Sequence, residues 1–529
     1  MGGCLTSPPH GGAPSEEDEE SMSTASRLSS CCVAFQSLQI SDKRPYFLCY
    51  DTHGGSTTTS TGSCRPLRLN GEGVTSPYSR FYIEPSRDHS GLVHIRCCYD
   101  NKYWAAAQQR EHDDGCPVVV GTADEAEEDV SKPTCTLFRV IRATSSSIRL
   151  LHVHLDKYVC LPSSSSDDNV RMPEPGMLSL LAQDKEDIVT SFTIHDLSGQ
   201  FVLPRHIALK GDNGKYLRAL TIERHPYLQF SGRDVADEAV LHTVHTNVDG
   251  TFRVRSSHVG KLWRRSPNWI WTDTASDDGE DNDDTLFRSV RLSRTGAGDG
   301  GSFALQNMGN EYFCRRLTTE GKRSCLNAGT PTITADARLQ LEEPVVSREI
   351  CNVVFDLSEP RIYGRYVVTM ATASALNGTT SNSTAAKLTL EYTDIEKRTW
   401  ASTVSLKLGV TATIVCSRIP AIVEGGRVEV SADEFSGSYS WGSPVDKETA
   451  KEVAYEVTVP PRTRVTVTST ATRALFDIPF AYTQKDTLVD GRQVTYDMDD
   501  GLYTGVNCYD FKYVISEEET PETDPCARV

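Results

Sequence analysis

A short motif returns through the first two thirds of the chain: a turn residue, a basic residue, a large ring or apolar side chain, then an alternating strand. GKYLRAL at Gly214–Leu220 is echoed by GKLWRRS at Gly260–Ser266 and by GNEYFCRRL at Gly309–Leu317. Upstream, DNKYWAA at Asp100–Ala106 and LDKYVCLP at Leu155–Pro162 carry the same pattern. The intervals are 46 residues from Gly214 to Gly260 and 49 from Gly260 to Gly309. One such lobe has an apolar face it cannot bury alone, whereas three can close a barrel. The repeat therefore predicts two consecutive three-lobed β units, at residues 45–197 and 198–345.

The texture between the motifs agrees. LFRVIRA at Leu137–Ala143 and SIRLLHVHL at Ser147–Leu155 alternate apolar and polar residues, and Gly, Asn, Asp and Ser clusters punctuate such runs. That pattern marks short strands, and no long segment shows a 3.6-residue period. One modest helix is expected near Ala182–Asp187, and the chain reads as all-β. Residues 1–44, rich in Ser, Gly and Pro and carrying the acidic run Ser15–Glu20, read as a disordered tail. Residues 346–517 are rich in Thr, Ser and Val and form a third β domain, and 518–529 are a polar tail.

Charge excludes some functions. Lys and Arg total 54 against 72 Asp and Glu, a formal net charge of −18. Phosphate neutralisation needs a basic surface, so no nucleic-acid partner is expected, nor general attraction to anionic lipid. No apolar run approaches the ~18 residues of a spanning helix, and no apolar core of a secretory signal follows the N-terminus. The sixteen Cys lack any CxxC pair and read as reduced thiols, and the sequons at Asn377 and Asn382 as unused. The opening MGGCLT matches the N-myristoylation pattern through Gly2, with Cys4 placed for a second acyl chain. Two acyl chains hold a protein stably on a bilayer. The expectation is cytoplasmic synthesis and attachment to the cytosolic face of the plasma membrane. Translation from Met22 would remove the signal and leave a nucleocytoplasmic protein.

The longest alternation lies at Thr403–Ser417. Val404, Leu406, Leu408, Val410, Ala412, Ile414 and Cys416 hold the even positions, and Ser405, Lys407, Gly409, Thr411, Thr413 and Ser417 the odd ones, with Val415 the one exception. A short apolar turn is expected next, IPAIVEGG at Ile419–Gly426, with Ile419, Pro420, Ile422 and Val423 at the hairpin tip. Then Val428, Val430 and Ala432 alternate with Arg427, Glu429 and Ser431. An ordinary amphipathic hairpin on a soluble sandwich reads this way. So does one arm of a membrane barrel, which needs ~9–11 alternating residues with one face for lipid and one for the lumen. The length of the first run, its small Ser, Thr and Gly face and its apolar tip favour the second reading. Several copies must then close a ring, because a lone hairpin leaves edge amides unpaired in hydrocarbon.

The region from Trp400 to Tyr513 resembles the pore-forming region of the aerolysin-like proteins of plants. The resemblance is carried by WASTVSLKLGV at Trp400, FSGSYSWG at Phe435–Gly442, VTVPPRTRVTV at Val457–Val467, DIPFAYTQKDTL at Asp477–Leu488 and DDGLYTGVNCYDFKY at Asp499–Tyr513. Residues 45–345 look like a tandem of amaranthin-type agglutinin domains, through NKYW at Asn101–Trp104, GKYLRAL and SFTIHDL at Ser191–Leu197. The resemblance implies two tandem β-trefoils followed by an elongated aerolysin-like antiparallel β domain. It further implies a lectin for galactose- and N-acetylgalactosamine-type glycans. Such a protein would be a dimer in solution and a homo-oligomeric ring in the membrane, acting in plant defence or stress. On the lectin motif, Asn101, Tyr103 and Trp104 are the carbohydrate-binding candidates. Their second-domain counterparts are Gly214, Tyr216 and Leu217, so the Trp is lost there, and Trp263, Trp269 and Trp271 lie near enough to substitute. Tyr103 and Trp104 read equally as trefoil core. In the pore family the hairpin lies folded against the body until the ring forms.

Other signals lead nowhere. GAGDGG at Gly296–Gly301 fits GxGxxG but precedes SFALQN, a probable strand rather than a helix, and so reads as a hairpin loop. The acidic run Asp277–Asp284 lacks the Gly and closing Glu of a calcium loop. His152 and His154 share a strand face without an evident third ligand. No nucleophile, metal or phosphate-loop motif is present, so neither catalysis nor a cofactor nor a metal is expected. The competing reading is an acylated lectin or interaction module without pore activity.

Overall fold

The computed structural model describes residues 23–520 apart from 29, 38–45, 52–56, 60–61, 65, 72, 109–115, 162–175, 182–189, 201, 276–281, 293–301, 405–409 and 431–434. The expected helix near 182–187, the GAGDGG loop, most of the acidic run, and Gly2 and Cys4 lie outside the described residues. Two compact units are present. One holds the chain up to Gln340 apart from His206–Ala208 and Gly232–Leu241, and the other holds those segments and the chain from Leu341 on.

In the first sheet six strands close on one another. Cys31–Ser37 pairs with Phe81–Pro85, which pairs with Leu92–Cys97, followed in turn by Phe138–Arg142, Ser147–His152 and Phe192–Asp196, which returns to Cys31–Ser37. Three hairpins complete it: Tyr46–Tyr50 with Leu67–Gly71, Tyr103–Ala107 with Val118–Ala123, and Lys157–Cys160 with Ser179–Leu181. Single bridges tie these hairpins into a triangle. The second sheet repeats the plan, with a barrel of His206–Lys210, His242–Thr246, Phe252–Ser256, Phe287–Arg291, Ser302–Asn307 and Leu339–Glu342. A six-stranded closed barrel with three mutually joined hairpins is a β-trefoil, so the chain carries two in tandem, as the repeat predicted.

The repeated motif proves to be the entry to the hairpins. Its turn residue takes the left-handed conformation every time: Asn101 (φ 62°), Asp156 (50°), Gly214 (67°), Gly260 (72°) and Glu311 (59°). In three copies the preceding side chain supports that strain. Asp100, Asn213 and Asn310 each accept the amide N–H two residues on, at 3.0, 3.1 and 3.1 Å.

Two expected boundaries are corrected. Within the tail expected over 1–44, residues 23–28 are helical and Cys31–Ser37 is a barrel strand. Without that strand the first barrel would be open between Phe81–Pro85 and Phe192–Asp196 and expose two unpaired edges. The polar tail expected from 518 begins later, since Gln493–Glu519 stays paired through Glu519↔Thr463.

His152 in the first trefoil and His242 in the second are fully buried. His152 sits edge-on to Phe138 at 5.2 Å with Nε2 3.1 Å from the Cys135 carbonyl. His242 sits edge-on to Trp263 at 4.9 Å with Nε2 3.3 Å from the Leu217 carbonyl. Burial holds both down at about 4, against ~6.5 in an unfolded chain. The unfolded chain therefore takes up protons first. The stabilisation is complete above pH ~6.5 and is lost as pH falls towards ~4, at about 3 kcal/mol for each histidine. Melting temperature should drop steeply between pH ~7 and ~4.5, and His242→Gln should flatten the part due to the second trefoil. A melting temperature constant over that range would contradict this.

The third sheet is built from long strands rich in Thr and Val. Thr463–Leu488 and Gln493–Glu519 pair along most of their length. Val345–Phe355 and Arg361–Asn377 share the other edge of Thr463–Leu488. Thr384–Ser402 pairs with Gln493–Glu519 through residues 397–402 and then with Val445–Val459. Trp400, Phe476, Ile478, Phe480 and Tyr503 form the centre of its core. A buried ion cluster braces one end, where Arg348 donates to Asp486 at 2.7 and 2.8 Å and to Glu343 at 2.5 Å.

Candidate functional site

The alternating segment is an insert between two paired strands. Thr384–Arg398 and Val459–Val445 match residue for residue. The chain leaves that ladder at a bend. Ser402 Oγ donates to Asp500 Oδ2 at 2.5 Å, the Thr403 amide donates to the Asp500 carbonyl at 2.8 Å, and Tyr482 OH donates to Asp500 Oδ1 at 2.9 Å. The single strand expected over Thr403–Ser417 is interrupted at the start, where Thr403 and Val404 form a bend just past these bonds. Ser405, Leu406, Lys407 and Leu408, and on the returning arm Ser431 and Ala432, lie outside the described residues.

Beyond the bend the arms are visible. Ala412–Cys416 pairs antiparallel with Phe435–Tyr439 and parallel with Arg348–Ile350. Ala412, Ile414 and Cys416 are 0, 1 and 6 % exposed, whereas Thr411, Thr413, Val415 and Ser417 face outward. Val404 and Val410 are half-buried. One face of this strand is therefore sealed against the core around Trp400 and Phe480, and the other is open.

The tip differs from expectation. Pro420–Val423 is a strand paired with Arg427–Val430, and the turn is Glu424, Gly425 and Gly426, with both glycines at positive φ (82° and 74°). The apolar residues expected in the turn pack inward instead: Ile419, Pro420 and Ile422 are buried and Val423 half-buried. Val428 and Val430 lie opposite Ile422 and Pro420, while Glu429 stays exposed beside Arg427. Polar side chains clasp the tip. Buried Asn507 accepts the Ile422 amide at 3.0 Å and donates to the Ile422 carbonyl at 2.8 Å, as a neighbouring strand would. Asp510 accepts the Gly425 amide at 2.7 Å. The sequence pattern flagged the apolar side chains and missed this clasp, since a lone Asn in a strand carries no spacing signal.

The carbohydrate candidates divide. Trp104 is 0 % exposed, among Phe35 at 5.5 Å, Phe81 at 5.2 Å and Phe138 at 6.0 Å. Trp263 is likewise 0 % exposed, between His242 and Phe287. A sealed indole offers no face to a pyranose, so both belong to trefoil cores and are withdrawn as sugar contacts. Tyr103 and Tyr216 are also buried. The Tyr103 hydroxyl donates to Glu84 at 2.7 Å, and Tyr216 lies under the Lys210 ammonium at 4.4 Å. Asn101 is half-buried and accepts from Arg96, and its left-handed backbone explains its place in the motif. An aromatic surface appears elsewhere. Trp271, half-buried in the hairpin triangle of the second trefoil, stacks with exposed His225 at 4.3 Å and 16°. The Arg264 guanidinium, across the hairpin from Trp271, pairs with Asp273 at 2.5 Å. The corresponding cluster of the first trefoil is Ala107, Val118, Val120 and Met177. Among the described residues no group of side chains could hold a metal ion. His154 turns to the Val130 carbonyl while His152 is buried.

Comparison with known proteins follows this division. The Agglutinin domain model matches residues 61–170 and 201–342. A search of curated proteins finds no match. Among solved structures, a lamprey immune protein overlaps 60 % of this chain and 88 % of its own at 12 % identity and TM-score 0.29. Parasporin-2, a Bacillus thuringiensis toxin that recognises cancer cells, overlaps 32 % of this chain and 74 % of its own at 17 % identity and TM-score 0.20. An aerolysin-like protein of Bombina maxima overlaps 32 % and 99 % at 10 % identity and TM-score 0.22. At such TM-scores these likenesses carry nothing further, and the third sheet is read from its own strands. The first two sheets stand on firmer ground: residues 61–170 and 201–342 are agglutinin domains, two on one chain, each within a β-trefoil.

Proposed function

We propose that the chain is a lectin that binds galactose- or N-acetylgalactosamine-type glycans and uses them to place a pore-forming module, whose amphipathic insert enters a lipid membrane from a homo-oligomeric ring. A role in plant defence or stress response follows from that activity. The supporting observation is the insert itself, a strand with one sealed apolar face and one open face that is polar but for Val415, held between paired strands that can lengthen into it. On one side thirteen residues, 399–411, separate the two ladders, and on the other five, 440–444. The difference is eight, an even number. Straightening by slippage of these two ladders would therefore keep their side chains on their own faces. In the inserted arm Val404, Leu406, Leu408, Val410, Ala412 and Ile414 would meet lipid, and Ser405, Lys407, Thr411 and Thr413 the lumen. Acylation at Gly2 and Cys4 would hold the protein at the cytosolic membrane face.

The test is dye release from glycolipid-bearing vesicles. Wild type should release dye, and Leu408→Lys, which puts charge on the lipid face, should abolish release with an unchanged melting temperature. No release by wild type at any glycan density would reject the pore. The exposed charges around the tip, Glu424, Arg427 and Glu429, favour a second reading, a membrane-anchored lectin whose insert stays folded. It predicts vesicle binding without single-channel conductance.

For sugar contact, the Trp271 and His225 rings beside the Arg264–Asp273 pair offer what a pyranose needs, an aromatic face and fixed polar partners. Trp271→Ala should weaken glycan binding about tenfold or more while the second trefoil still melts cooperatively. Undiminished binding would place the sugar elsewhere.

A further inference from the structure

The ladder of Arg361–Asn377, Thr463–Leu488 and Gln493–Glu519 has two open edges. Over residues 512–519 the last strand pairs only with 463–470, and 511–519 are exposed although the Phe511 and Tyr513 rings lie against Tyr392 and Tyr455. Tyr366–Leu376 pairs on one side only, with 464–473. Among the described residues nothing pairs with the outer side of either stretch.

Soluble proteins blunt such edges with proline, charge or a covering element. Charge blunts the ends of the first edge, at Lys512 and at Glu517–Glu519, but leaves its centre open, and the second edge carries none. Tyr513, Val514 and Ile515 run without a charge or proline, with Val514 at 55 % and Ile515 at 47 % exposed. From Tyr366 to Leu376 there is again neither, and Val367 is 71 % exposed. The edges also match in level and direction. Thr369 and Lys512 both pair with Thr470, and Leu376 and Glu518 both pair with Arg464. Both outer strands run antiparallel to the middle one, and so parallel to each other.

We propose that these two edges dock on each other between copies, residues 511–519 of one chain adding as a parallel strand to residues 366–376 of the next. The contact is heterologous, since the two surfaces differ, and repetition of one rotation then closes a ring. Rotation about an axis along the strands preserves their direction, which is the polarity the edges require. The affinity comes from main-chain hydrogen bonds, as in other strand additions. This rests on the ring reading above and names its interface.

The experiment uses the full chain on glycolipid vesicles, mixing isotopically heavy wild type with a light chain carrying a photo-crosslinking benzophenone at Val514. Light should join Val514 to heavy peptides within residues 361–377, and only where oligomers have formed. Two charged-edge variants supply the second arm. Val367→Lys and Val514→Lys each sit at exposed positions and should each stay monomeric on vesicles, while their equimolar mixture gives dimers through the one intact pair of edges. Oligomers whose crosslinks fall elsewhere, or only between two copies of residues 507–519, would overturn the edge assignment. So would variants that assemble like wild type. A wild type that never assembles would overturn the ring itself.

Discussion

Trp104→Ala should cost the first trefoil about 3–5 kcal/mol, the usual cost of emptying a large core site. The indole has no exposed surface and touches rings from three barrel strands, Phe35, Phe81 and Phe138. Removing it opens the centre of the barrel, where strands from two lobes meet. The expected result is loss of the first trefoil's thermal transition at a temperature where the second still melts normally. Glycan binding through the second trefoil should persist. Trp263→Ala should give the mirror image, unfolding the second trefoil and sparing the first. Unchanged melting with lost sugar affinity would return Trp104 to the binding surface.

Asn507→Ala should release the tip of the insert. Its side chain satisfies both the N–H and the C=O of Ile422 and also donates to the Cys508 carbonyl at 3.1 Å. Truncation leaves buried backbone groups without partners, at about 1–3 kcal/mol each. The fraction of molecules with a freed tip should then rise about ten- to a hundredfold or more. Amide exchange over residues 419–430 should accelerate by that factor, and dye release should begin sooner at equal glycan density. Asn507→Asp keeps the acceptor for the Ile422 N–H and loses the donor to its carbonyl, so its effect should be smaller. Unaltered exchange in Asn507→Ala would show that the apolar contacts of Ile419 and Ile422 hold the tip without the clasp.

The trefoils were legible because their repeat is local. A left-handed turn residue followed by a large side chain opens five of the six hairpins, and spacing alone revealed three lobes. The barrel strand Cys31–Ser37 was not legible, since it stands apart from any motif copy and follows a segment rich in small polar residues. Trp104 shows the limit of a residue-type argument. A ring in a lectin motif fits a sugar or a core equally until its neighbours are known. The insert was legible as alternation, because Ala412, Ile414 and Cys416 do share one face. Its bend at Thr403–Val404 was not, because the Asp500 bonds beside it come from almost a hundred residues away in sequence. The turn expected over Ile419–Gly426 is narrower than its apolar character suggested: only Glu424, Gly425 and Gly426 make it, and the apolar residues before them form a strand.

The central claim is that one side of the insert exchanges the protein core for lipid while the other stays wet. Nitroxide labels placed singly at residues 411 to 417, in oligomers on glycolipid vesicles, test it most directly. Oxygen accessibility should be high at 412, 414 and 416 and low at 411, 413, 415 and 417, with the opposite pattern for a water-soluble relaxation agent. Equal accessibility along the strand, or a pattern unchanged from the soluble protein, would contradict the claim.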